Sequence, residues 1–279
     1  MSAVDAALTV VDDFEANTSS SVAWQLDRYW TLQRIRRLLR HPNELNQRGL
    51  NACAPAAFFR IWFARDPVSA ARFACSRLRN GSASIGSLVV APSQRLRDQN
   101  YALLKSVTDA AHPGATPEGA DWMLLSALRD SENVLIDYVG EPYTVGDMAA
   151  GVTLPSTLCG WLNATNLYSA VANETNVVTV SSQQRLFELI PTSNVDIVLL
   201  VNSSFQAGLS PTIPSGQQPG LGGIHIPDHY VLMTAPFARS NDSTWLQMEV
   251  WTWGRTVTGW VGYSQFFTKY FGYIVATSR

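Results

Sequence analysis

Cysteine is scarce in this chain of 279 residues, where Cys53, Cys75 and Cys159 are the only three. They form no C-x-x-C pair, which excludes a zinc knuckle or dithiol redox motif and leaves too few thiols for a disulfide framework. An excess of either charge is also missing, with 20 Lys and Arg against 22 Asp and Glu. Charge therefore names neither nucleic acid nor a membrane surface as a partner. No stretch reaches the eighteen or so unbroken apolar residues of a membrane-spanning helix. The opening "MSAVDAALTVVDDFEANTSSS" lacks the basic start and apolar core of a secretory signal. The expectation is a protein made in the cytoplasm, with any export left to a system that needs no cleavable signal. Neither G-x-S-x-G nor G-x-x-x-x-G-K-S/T occurs, so a serine elbow and a phosphate-cradling loop are both excluded.

What is present is the composition of an ordinary globular chain, 46% hydrophobic and 15% charged. Apolar residues at three- and four-residue intervals predict helices over 21–40, 52–64, 66–80, 93–111 and 120–133. From residue 133 the texture changes. "NVLIDYVG", "NVVTV", "VDIVLLVNS", "HYVLMTAPF" and "TWLQMEVWTW" read as strands, with short helices at 155–162 and 181–190. Residues 229–253 read as a hairpin turning at Asn241 and Asp242. The fold class expected is α+β, a single domain over 1–279 with a mainly helical part, 1–132, and a β-rich part, 133–279. Arg28, Arg34, Arg36, Arg37 and Arg40 crowd one amphipathic segment, which reads as a solvated helix face.

Cys53 opens the apolar run "CAPAAFF". A thiol at a helix start faces unpaired backbone N–H groups and the positive end of the helix dipole, both of which favour thiolate. Attack by that thiolate on an amide carbonyl creates an oxyanion. The Cys53 N–H and the side-chain amide of Gln47, six residues upstream, are the two donors the sequence offers for it. A base is also needed, and His229 at the start of "HYVLM" is the candidate.

The spacing Gln-x5-Cys, the later Asp228–His229 opening a strand, and "VWTWGRTVTGWVGY" at 250–263 together resemble papain-like cysteine peptidases, including the double-glycine peptidases that process bacteriocin precursors. In that family Asn-Ser-Trp-Gly stands where this chain has Trp251, Thr252, Trp253 and Gly254. The resemblance implies a two-lobe fold with a cleft, Cys53 as nucleophile and His229 as base. It also implies Gln47 in the oxyanion hole and Trp253 as a shield over the pair. Trp251 replaces the Asn that orients the histidine, and a tryptophan accepts no hydrogen bond. Thr252 supplies an acceptor hydroxyl if the hairpin register is shifted by one. Asp228, Trp251 and Trp253 are the candidate cleft residues.

The activity implied is hydrolysis of an amide, foremost a peptide bond. The same thiol chemistry serves deamidation and transglutamination, and a catalytically silent binding module is the rival of another class. No cofactor is expected, and no metal. His225 stands four residues before His229, but Pro227 between them marks a loop rather than a helical ligand pair. The expected partners are a peptide or protein substrate and a proteinaceous inhibitor or immunity partner, with neither nucleic acid nor membrane.

Overall fold

The structure is a computed structural model, and residues 1–17, 21–132, 140, 153–176, 183–214 and 225–279 are described. The strands expected over 133–140 and 176–180 lie, but for Gly140 and Asn176, outside the described residues. Helices and an all-antiparallel main sheet make the fold α+β, and the chain divides into two compact units, Met1–Thr153 and Leu154–Arg279. No described helix is long and apolar enough to cross a membrane.

The first unit holds helices α1 (Ala3–Ala16), α2 (Arg28–Arg40), α3 (Cys53–Arg65), α4 (Pro67–Asn80), α5 (Gln94–Arg97), α6 (Tyr101–Ala111) and α7 (Gly119–Glu132). A small hairpin of β1 (Ala83–Ile85) and β2 (Leu88–Val90) interrupts them. Ten of the thirteen α3 residues are buried, Phe58, Phe59, Trp62 and Phe63 among them. A helix apolar on every side becomes the centre of its unit. Local caps shift two expected boundaries. The Asp27 carboxylate accepts the Trp30 N–H and starts α2 there rather than at residue 21. Asn100 caps Leu103 and divides the expected helix over 93–111 into α5 and α6.

Only Arg37 and Arg40 of the α2 arginines lie on the solvated face that the sequence suggested. Arg28 donates to the carbonyls of Phe14, Glu15 and Asn17, which closes the C-terminus of α1, a helix with no basic residue in its own last turn. Arg36 pairs with Asp12 and Glu15 on the same helix. Arg34 is buried and forms a two-pronged pair with the buried Asp121 of α7, each N–H···O bond 2.8 Å long. The same pair grips the chain ahead of Cys53, because Arg34 donates to the Glu44 carbonyl and Asp121 accepts the Asn46 N–H. Three of the five arginines, Arg28, Arg34 and Arg36, thus act as ties within the unit, while Arg37 and Arg40 are exposed.

The second unit is built on a seven-stranded sheet of β3 (Tyr168–Thr175), β4 (Val195–Val201), β5 (His229–Met233), β6 (Ala238–Arg239), β7 (Trp245–Thr252), β8 (Arg255–Gly262) and β9 (Tyr270–Ser278). The order is β3-β9-β4-β5-β7-β6, with β8 on β7. Helix α8 (Pro155–Ala164) precedes the sheet, α9 (Gln183–Leu186) is a single turn, and α10 (Tyr263–Phe267) joins β8 to β9. The expected hairpin over 229–253 forms, with β6 and a turn at 240–243 between β5 and β7. β3 and β9 were not read from the residues; in β3 small and polar positions, as in "YSAVANET", hide the period-two signal, and β9, "YFGYIVATS", is apolar without alternation.

Removing one partner of a buried ion pair strands the other charge, at about 3–5 kcal/mol. Asp121→Ala is therefore expected to lower the unfolding free energy by that order in a urea melt followed by tryptophan fluorescence. Arg34→Met combined with Asp121→Leu recovers only part of the loss, because the Asn46 N–H still lacks its acceptor and the Glu44 carbonyl now loses the Arg34 donor as well.

Candidate thiol and imidazole sites

Cys53 and Gln47 belong to the first unit. Cys53 is the first residue of α3, and Ala52 at the cap supplies no side-chain acceptor. Pro55, third in the helix, has no N–H, so the first-turn donors are the backbone groups of Cys53 and Ala54. The thiol residue is buried, with 7% of its surface exposed, and none of the three cysteines is in a disulfide. Gln47 is buried in the turn that delivers the chain to α3; its carbonyl accepts the Leu50 N–H, and the Gly49 N–H bonds to Ala115. Asn46, one residue earlier, is the one tied to Asp121. Burial pushes the Cys75 thiol up to about 12 and also raises Cys159, which makes both poor nucleophiles at neutral pH.

His229, Thr252, Trp253, Trp251 and Asp228 belong to the second unit. Strand parity decides which of them meet. Leu232 pairs with Trp251 and Met233 with Val250. Continuing that register by one residue sets Val231 beside Thr252, and residues two apart on a strand share a face. His229, Val231 and Met233 on β5 therefore look the same way as Leu246, Met248, Val250 and Thr252 on β7. Val231, Met233, Leu246, Met248 and Val250 are part of the unit's apolar core, and the His229–Thr252 pair caps that stripe. Trp251 points to the opposite face, where it is fully buried. Glu249 shares the parity of Trp251 and bonds to Thr234 and Thr258.

The resulting contact is short: His229 Nε2 lies 2.7 Å from Thr252 Oγ1. Trp253 and Gly254 form the two-residue turn between β7 and β8, with φ of 43° and 74°. Positive φ at both central residues is the turn that follows the twist of a hairpin. It holds the Trp253 indole flat on the imidazole, with ring centroids 4.0 Å apart and planes 12° from parallel. His229 is 3% exposed, and burial pushes its pKa down to about 3, so the ring is neutral at pH 7.

Asp228 has a local task. Its carboxylate accepts the Ser203 N–H at 2.6 Å and the Ser203 hydroxyl at 3.0 Å. Asn202 donates to the Ile226 carbonyl and Lys269 Nζ to the Ser204 carbonyl. Together these bonds fix the 3-10 turn Ser203–Gly208 beside β5, with Phe205 buried under it. Gln206 on that turn donates through Nε2 to Thr252 Oγ1 at 3.4 Å. Sequence reasoning missed Gln206; the signal at hand was Asn202 two residues before Ser204, a pattern that starts such turns.

Two open cavities of about 580 and 650 Å³ lie in the first unit, both lined by residues of α6. Neither is lined by a cysteine, and three cations of the first are paired, Arg34 with Asp121, Arg37 with Glu44 and Lys105 with Asp109. Among the described residues no group of three or more His, Cys, Asp or Glu could hold a metal ion.

The depressed His229 pKa makes stability depend on pH. The native ring stays neutral while the unfolded ring takes a proton below its ordinary value of about 6.5. The contribution is whole above pH 6.5 and is lost as pH falls toward 3. Between pH 6 and 4 the wild type should lose up to about 1.4 kcal/mol per pH unit more than His229→Gln, read as urea midpoints at each pH. Equal slopes in the two proteins would refute the assignment.

No family model matches the chain, and neither a curated protein nor a solved structure matches it.

Proposed function

We propose that the chain is a thiol hydrolase of the papain-like, two-lobe type, acting on an amide and foremost on a peptide bond. The observation that carries the reading is the His229 site. A buried imidazole has its Nε2 engaged by the Thr252 hydroxyl and its face covered by Trp253. With Nε2 so engaged, Nδ1 is the ring nitrogen that the proposal assigns to a nucleophile. Cys53, the first residue of α3 with Gln47 in the preceding turn, is the nucleophile with which the proposal pairs it.

In the proposed reaction, with the ring proton on Nε2, the Cys53 thiol gives its proton to His229 Nδ1, and Sγ attacks the carbonyl carbon. The carbonyl π bond opens onto oxygen, and the oxyanion accepts from the Cys53 N–H and the Gln47 amide, each donor contributing on the order of 3 kcal/mol to the lowered barrier. Collapse breaks the C–N bond as His229 hands its proton to the leaving amine. Water, losing a proton to His229, then releases the acyl group as a carboxylic acid, and the proton returns to Sγ.

One observation favours a second reading, a catalytically silent module of the same fold. Burial holds His229 far below its ordinary pKa, which opposes the imidazolium that a resting ion pair needs.

Alkylation by iodoacetamide from pH 4 to 9, read by peptide mass in wild type and His229→Ala, separates the two. The hydrolase reading expects Cys53 to react well below pH 7 and to lose that reactivity in the variant, while Cys75 stays inert throughout. An ordinary titration near pH 8.5, unchanged by the substitution, would leave the silent module as the reading.

A further inference from the structure

Thr252 stands between His229 and Gln206, and its hydroxyl has one proton to give and two lone pairs to receive. Gln206 approaches through Nε2, a group that donates and accepts nothing. The hydroxyl proton cannot go there. His229 Nε2, at 2.7 Å, is the partner that can take it. A ring nitrogen that accepts a proton in a hydrogen bond carries none of its own, so the neutral imidazole then bears its proton on Nδ1.

We infer that Gln206 is a positioning residue that selects, through the Thr252 hydroxyl, which nitrogen of His229 is protonated. With the amide nitrogen toward Thr252, the order is Gln206 N–H to Thr252 Oγ1 and Thr252 O–H to His229 Nε2. A half-turn of the amide about its last torsion brings the carbonyl oxygen to the same place and reverses every bond. The order becomes His229 Nε2–H to Thr252 Oγ1 and Thr252 O–H to Gln206 Oε1, and Nδ1 is left bare. That torsion is broad and close to two-fold in its energy, and Gln206 is only half buried, so both settings are sterically open to it.

The consequence for chemistry rests on the hydrolase reading, because only the second setting offers Nδ1 as a base. The assignment of the proton does not rest on it. The turn that carries Gln206 is held by Asp228, Asn202 and Lys269, so the side chain is delivered to Thr252 from an anchored backbone. Asp228, adjacent to His229 in the chain, thereby acts on the ring at one remove.

Histidine-labelled protein examined by two-bond 1H–15N correlation at pH 7.5 reads the tautomer directly, with His229→Gln assigning the signal. The wild type is expected to carry its proton on Nδ1. Gln206→Glu, whose carboxylate only accepts, should move it to Nε2. Gln206→Leu, which neither donates nor accepts, should give a mixture of the two and guards against a local disturbance by the new charge. A wild type protonated on Nε2, or a tautomer that is the same in wild type and Gln206→Glu, overturns the inference. Cys53→Ser protein gives the same readout, so a failed hydrolase reading and a failed Gln206 assignment are told apart.

Discussion

The register between β5 and β7 is the constraint on which the candidate chemistry depends. Side chains alternate across a sheet, so a slip of one residue exchanges every partner. With Leu232 opposite Trp251, the polar pair His229 and Thr252 falls on the core face and Trp251 on the other. The apolar residues Val231, Met233, Leu246, Met248 and Val250 hold that register, because a slip of one residue would turn those on the slipping strand out of the core. The two-residue turn at Trp253 and Gly254 then ends β7 immediately after Thr252 and delivers the indole to the imidazole. Apolar burial thus places a hydrogen bond that contributes little to stability itself.

In the first unit the corresponding role belongs to a buried charge pair. Arg34 and Asp121 join α2 to α7 and together hold Glu44 and Asn46, the residues just ahead of Gln47. A buried ion pair adds little net stability over an apolar replacement. What this pair supplies is direction: a planar guanidinium with two bonds to one carboxylate admits few arrangements of the loop it also grips.

Much of this was legible in the residues. The helix expected over 52–64 begins at Cys53, and those over 66–80 and 120–133 stand within a residue of their expected limits, because long apolar periods survive in any context. The hairpin at 229–253 was legible for the same reason. The partner of His229 was legible only conditionally, as Thr252 in one hairpin register, because Trp251 and Thr252 are adjacent and nothing local chooses between them; the pairing with β5 does. Arg34 misled because its partner Asp121 lies 87 residues away, and a charged residue on an amphipathic segment looks the same whether solvated or paired. Gln206 was invisible for a further reason: it reaches Thr252 by way of a turn held by Asp228 and Asn202, each tie spanning tens of residues.

The face contact between Trp253 and His229 has an electrostatic side. An aromatic face attracts a cation by about 0.5–2 kcal/mol, so the indole favours the charged imidazole. Burial opposes it, and a pKa near 3 against an ordinary 6.5 corresponds to about 5 kcal/mol. The indole therefore only softens the penalty, and desolvation is what governs the ring. Among the described residues no charged side chain offsets that penalty, so a cationic His229 would need a counter-charge brought to it. The ring's charge is thus conditional: it stays neutral at pH 7 unless something beside it supplies the opposite charge.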